Sequence, residues 1–156
     1  MKNKQLKSPL VTFSKGSTAS KTAAKAASKH NGIRVLHVDD DLNQLLFTKI
    51  FLEKFDSELK VQSVSEPLEA VEVLESEEYD CVVSDYQMDA MDGIALTHRV
   101  RESSDIPIII YTGHGSEEVE EIARAAGADG YVKKELDPCH YRSLYEQIKF
   151  AVQGRV

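Results

Sequence analysis

The sequence predicts an α/β fold, a parallel sheet covered on both faces by helices, and three observations carry that expectation. From Ile33 onward, short apolar runs alternate with longer segments of helical pattern, as in repeated strand–helix units. Two of the runs, 81–83 and 106–110, are nearly continuous in apolar residues, as central parallel strands buried on both faces require. Four runs end on residues suited to chemistry: Asp39-Asp40, Asp85, Thr112 and Lys134. In such a sheet the carboxyl ends of the strands share one edge, and ligands bind there.

In order, strands are expected near 33–38, 59–64, 80–84, 106–111 and 129–133. Helices are expected near 42–55, 66–76, 92–103, 116–126 and 138–153. Asp41 suits the N-cap of the first helix, whose orphan amide groups a carboxylate satisfies. Ser65 with Pro67 opens the second, Ser116 followed by Glu117 and Glu118 the fourth, and Asp137-Pro138 the fifth. Gly127 falls where the fourth helix wants a left-handed residue. On the first helix a wheel places Leu45, Phe47, Phe51, Leu52 and Phe55 on a core stripe. Leu42, Leu46 and Ile50, spaced i, i+4, i+8, fall on another line, which an outer helix of a wound sheet leaves exposed.

Residues 1–30 differ in kind. They carry seven lysines and no acid, whereas the remaining 126 residues hold twelve basic and all 26 acidic side chains, a net charge of −14. With few large apolar residues, 1–30 read as a disordered basic tail, and residues 31–156 as one domain able to bury a core. The acidic body repels nucleic acid, so any such contact is weak and made through the tail. No apolar run reaches the roughly 18 residues of a membrane span, and no signal-peptide core is present. Cys81 and Cys139 have no metal or redox spacing and read as reduced thiols, Cys81 in a strand and Cys139 incidental, in a cytoplasmic protein.

Taken alone, each polar strand end has an ordinary explanation, since acids after strands often only cap helices. Together they are more specific. Asp39 and Asp40 repel one another unless a cation intervenes, and a hard ion such as Mg²⁺ (or Mn²⁺) is held by one or two carboxylates. Asp85 at the end of an apolar run needs a partner, and a carboxylate beside a cation can act as a nucleophile. Lys134 can pair with Asp85 and then with phosphoryl oxygens, to which Thr112 offers a hydroxyl.

The stretches VLHVDDD (35–41), DCVVSDYQMDAMDG (80–93), IPIIIYT (106–112) and GADGYVKK (127–134) resemble the receiver domain of two-component response regulators, over about residues 32–153. The resemblance implies a flavodoxin-like, doubly wound, five-stranded sheet in the order 2-1-3-4-5 with five helices. It implies Asp85 as phosphoacceptor, Thr112 and Lys134 as its assisting residues, and a metal held by Asp39, Asp40, Asp85 and the backbone carbonyl of Gln87. Thr112 and Tyr131 fall on the family's switch positions. Gln87 and His114 fall on variable positions that bear on how long the acyl phosphate survives. Asp89 and Glu135 stand where the family commonly has prolines.

The function implied is that of a phosphoacceptor rather than an enzyme in the ordinary sense. A histidine kinase or phosphotransfer protein phosphorylates Asp85, and the face built by the fourth and fifth helices then changes its affinity for a downstream protein. No output domain is expected after the fifth helix. Leu42, Leu46 and Ile50 would dock the phosphodonor, or a second copy of the chain. The alternatives are a pseudo-receiver that binds partners without phosphorylation, and a metal-dependent phosphohydrolase, for which only His114 could supply acid–base chemistry.

Overall fold

The apolar runs of the sequence become strands whose side chains alternate between two helical layers, so the central strands are buried on both faces. A computed structural model describes residues 31–154; the reading of 1–30 as a tail, and the last two residues of the domain, lie outside them. The elements are β1 (Ile33–Val38), α1 (Leu42–Phe55), β2 (Leu59–Val64), α2 (Pro67–Ser76), β3 (Cys81–Ser84), α3 (Gly93–Arg101), β4 (Ile108–Thr112), α4 (Glu117–Ala126), β5 (Gly130–Lys133) and α5 (Cys139–Gln153). All five strands are parallel, in the order β2-β1-β3-β4-β5. This is the expected flavodoxin-like architecture.

The alternation is visible along β1. Val35 joins a core with Leu52 of α1 and Leu144 and Ile148 of α5, while Leu36 and Val38 join one with Ala70 of α2 and Leu96 and Val100 of α3. At about 25 cal/mol per Å² of apolar surface, these two layers supply the main stabilisation.

The helix ends follow local chemistry. Asp41 caps α1, its side chain accepting from the amides of Asn43 and Gln44, and Ser116 caps α4 through the amide of Val119. Asp92 caps α3 by accepting from Ala95 at 2.8 Å. Gly127 ends α4 at φ 109°, the left-handed region open to glycine.

Three expectations need correction. β4 starts at Ile108 rather than 106, since Pro107 has no amide to give the ladder, although its carbonyl accepts from Val82 at 2.8 Å. The residue capping α2 is Glu66, without a side-chain bond, and not Ser65. On α1 the buried residues are Leu45, Thr48 and Leu52, whereas Phe47 is 47% exposed. Phe51 instead stacks on Tyr141 of α5, with ring centroids 4.4 Å apart and planes within 7°.

Candidate functional site

The parallel register pairs Val38 with Ser84, Ser84 with Ile110 and Thr112 with Lys133. The next residues along β1, β3 and β5 are therefore Asp39, Asp85 and Lys134, at one edge of the sheet with Thr112. One carboxylate oxygen from each of Asp39, Asp40 and Asp85 lies within 4.8 Å of the others. Asp39 is fully buried, Asp85 nearly so, and Asp40 exposed.

Lys134 reaches into this cluster. Its Nζ lies 2.7 Å from Oδ2 of Asp39 and 3.7 Å from Oδ1 of Asp85, and the lysine side chain is only 12% exposed. The sequence reading paired Lys134 with Asp85; the tighter partner is Asp39. Asp39 is the more completely buried of the two carboxylates, so it has the least water to solvate its charge and gains most from the ammonium. Burial still raises the Asp39 carboxyl above the usual range, against the opposing charge and hydrogen bond of Lys134 and the amide of Asp41, with Asp85 raising it further.

The backbone arranges the remaining parts. The amide of Lys134 donates to the carbonyl of Thr112 at 2.9 Å, tying β5's end to β4. The Thr112 side chain is fully buried and its Oγ1 accepts from the amide of His114 at 3.1 Å. Every peptide bond among the described residues is trans, the one between Lys134 and Glu135 included. Gln87 lines a cleft of about 410 Å³ beside Asp85, with Asp40, Tyr86, Met88, Asp89 and Asp92.

Tyr131 stands apart from the acids. Its half-buried ring points its hydroxyl at the loop after β4, where a Cβ on Gly115 would lie 1.6 Å from that oxygen. The phenol has no partner of good geometry there. Glycine at 115 thus leaves the room that the phenol occupies. Leu42, Leu46 and Ile50 are 68%, 53% and 50% exposed on α1, as the wheel expected.

Three features escaped the sequence reading. Gly93 packs against the backbone of Asp85: a Cβ there would meet the carbonyl oxygen of Asp85 at 2.2 Å. The Asp-Gly pair opening α3 was the available signal. Ala90, in the same loop, holds φ at 70°, a costly region for a residue with a side chain. The third is a polar layer under the site on the α1–α5 face. There the Tyr111 hydroxyl meets Nδ1 of His140 at 2.7 Å, and fully buried His37 is kept neutral, its pKa lowered to about 3 by burial and then by Lys134.

A buried lysine thus lies between carboxylates whose spacing would suit a cation, at the carboxyl edge of a 2-1-3-4-5 sheet. The family model of the response regulator receiver domain matches residues 35–146, and the chain belongs to that family. It is similar to a cyclic di-GMP phosphodiesterase response regulator of Xanthomonas campestris, at 31% identity over 72% of this chain and 30% of that protein. It also resembles an uncharacterized transcriptional regulatory protein of Bacillus subtilis, at 28% identity over 78% of this chain and 51% of that one. The chain thus spans about half or less of these relatives. Among solved structures, a CheY-like receiver domain protein of Methanospirillum hungatei is 29% identical, with a TM-score of 0.69 over 80% of this chain and 96% of that one.

Proposed function

We propose that the chain is a phosphoacceptor in a two-component phosphorelay, with Asp85 as the residue modified. The observation that carries this reading is the Lys134 ammonium, 2.7 Å from Asp39 and 3.7 Å from Asp85. From there it can face a phosphoryl group on Asp85 without leaving the site. An Asp85 carboxylate oxygen attacks the phosphorus of a phosphohistidine on the partner. The new O–P bond forms as the P–N bond breaks, and the electron pair stays on the imidazole nitrogen. Lys134 draws negative charge from the equatorial oxygens, which is where such a reaction needs it.

Asp39, Asp40, Asp85 and the carbonyl of Gln87 would hold Mg²⁺ or Mn²⁺. The hard oxygen donors and their spacing suit such an ion. When bound, it supplies neutralisation of charge on the transferring group. After transfer, the Thr112 hydroxyl turns toward the phosphoryl oxygens and Tyr131 changes place, altering the face of α4 and α5 for a downstream protein. The donor, a histidine kinase or phosphotransfer protein, docks a helix along Leu42, Leu46 and Ile50, and the protein works in the cytoplasm. Among the described residues, no helix is long and apolar enough to cross a membrane.

The test is intact-mass measurement after incubation with a small phosphodonor and Mg²⁺. Wild type should gain one phosphoryl mass and Asp85→Asn none. Equal gain in both would remove Asp85 from the role.

A further inference from the structure

We propose, building on the phosphoacceptor reading, that Tyr111 and His140 are positioning residues for Lys134: the phenol ring supports the ammonium, and the hydroxyl–imidazole hydrogen bond ties that ring to the first turn of α5. Tyr111 interrupts the aliphatic run of β4, where it is fully buried. Packing alone would be served by another isoleucine, without the requirement to satisfy a buried hydroxyl. The hydroxyl meets that requirement at Nδ1 of His140, 2.7 Å away. The centre of the same ring lies 5.1 Å from the Nζ of Lys134, within the range in which an aromatic face attracts a cation.

The ammonium therefore has a support that is independent of its two carboxylates. It can exchange Asp39 for an oxygen on Asp85 while the ring keeps its height above the sheet. His140 is itself packed at 4.1 Å on Tyr141, which stacks on Phe51 of α1. The support is thus fixed by both helices of that face. The surrounding layer is polar as well: His37 and Thr48, both fully buried, carry side-chain atoms without partners of good geometry. The charged groups around His140 are Lys134, Glu135 and Asp137, and burial followed by Lys134 lowers its pKa. In the neutral ring with its proton on Nε2, Nδ1 accepts a hydrogen bond from the phenol hydroxyl.

Three variants of the full chain separate positioning from packing. Tyr111→Phe keeps the ring and drops the hydroxyl, His140→Leu keeps bulk and accepts nothing, and His140→Asn keeps an acceptor near Nδ1. With a small phosphodonor and Mg²⁺, Tyr111→Phe and His140→Leu should each slow phosphorylation of Asp85 about tenfold. Their double variant should be no slower than either, as expected of residues acting through one bond. His140→Asn should recover most of the rate. Wild-type rates in Tyr111→Phe, or His140→Asn as slow as His140→Leu, would overturn the proposal. If His140→Leu does not fold, Tyr111→Phe decides alone. A second readout needs no phosphodonor: the NMR signal of the Lys134 ammonium, hydrogen-bonded to Asp39, should shift in Tyr111→Phe and His140→Leu and return in His140→Asn. A wild type that takes up no phosphoryl group ends the phosphoacceptor reading. The ammonium signal then still decides the positioning role, and an unchanged signal sinks it.

Discussion

Asp56, where α1 ends, holds three parts of the chain with one carboxylate. Oδ1 accepts from the amide of Glu58 at 3.0 Å, and Oδ2 accepts from the Tyr145 hydroxyl at 3.2 Å and from Lys149 at 3.4 Å. The Glu58 amide first, then, against the opposing effect of burial, Lys149 and Tyr145, hold its carboxyl below the usual carboxylate range. A depressed carboxyl stabilises the fold above its unfolded value, near 3.9, and that stabilisation is lost as pH falls through the folded value. Asp56→Asn should therefore cost on the order of 1 kcal/mol at neutral pH. In acid unfolding followed by circular dichroism, the gap between the two proteins should close below about pH 4. Residues of this kind were hard to read in advance, because a surface Asp after a helix has many possible partners. Asp39, Asp85 and Lys134 were legible because a charge that ends an apolar run is informative in itself. Tyr111 was not: an aromatic within such a run reads as core, and its partner lies 29 positions away. Nor did the order of residues tell which carboxylate Lys134 would approach more closely.

At the scale of elements, the alternating strand and helix pattern announced all ten, and the errors fall where local rules leave two answers. α1 is apolar on more than one side, so a wheel defines stripes without saying which is inside. The sheet chose Leu45, Thr48 and Leu52 and left Phe47 out. Thr48 was overlooked because a hydroxyl argues against a core, yet it sits in the polar layer beneath the site. The exposed row of Leu42, Leu46 and Ile50 follows from the same choice. Leu46→Glu with Ile50→Glu should leave the melting temperature and small-donor phosphorylation nearly unchanged. Transfer from the cognate phosphohistidine protein should fall at least about tenfold, equivalent to about 1.4 kcal/mol. Unchanged transfer would exclude this face from docking, and a lower association state would assign it to a homodimer.

For the molecule as a whole, three acids and one lysine converge on a body already carrying excess negative charge, and a cation should relieve that repulsion. Mg²⁺ at ten times its dissociation constant should stabilise the wild type by about 1.4 kcal/mol, read as a rise in melting temperature. Asp40→Ala should lose most of the response. A wild type indifferent to Mg²⁺ would instead favour an interaction module that works without phosphorylation. The sequence contains two cysteines, and the fold treats them oppositely: Cys81 lies inside the sheet, and Cys139 is exposed at the start of α5. The native chain therefore carries a single addressable attachment point for a fluorophore, next to His140. The hydrogen bond and charge of Asp137 push the Cys139 thiol above its ordinary value, so maleimide coupling should be slow at pH 7 and faster toward pH 9, when more thiolate is present. A dye placed there would act as an optical gauge of events at Asp85, in a protein whose sequence has not been altered.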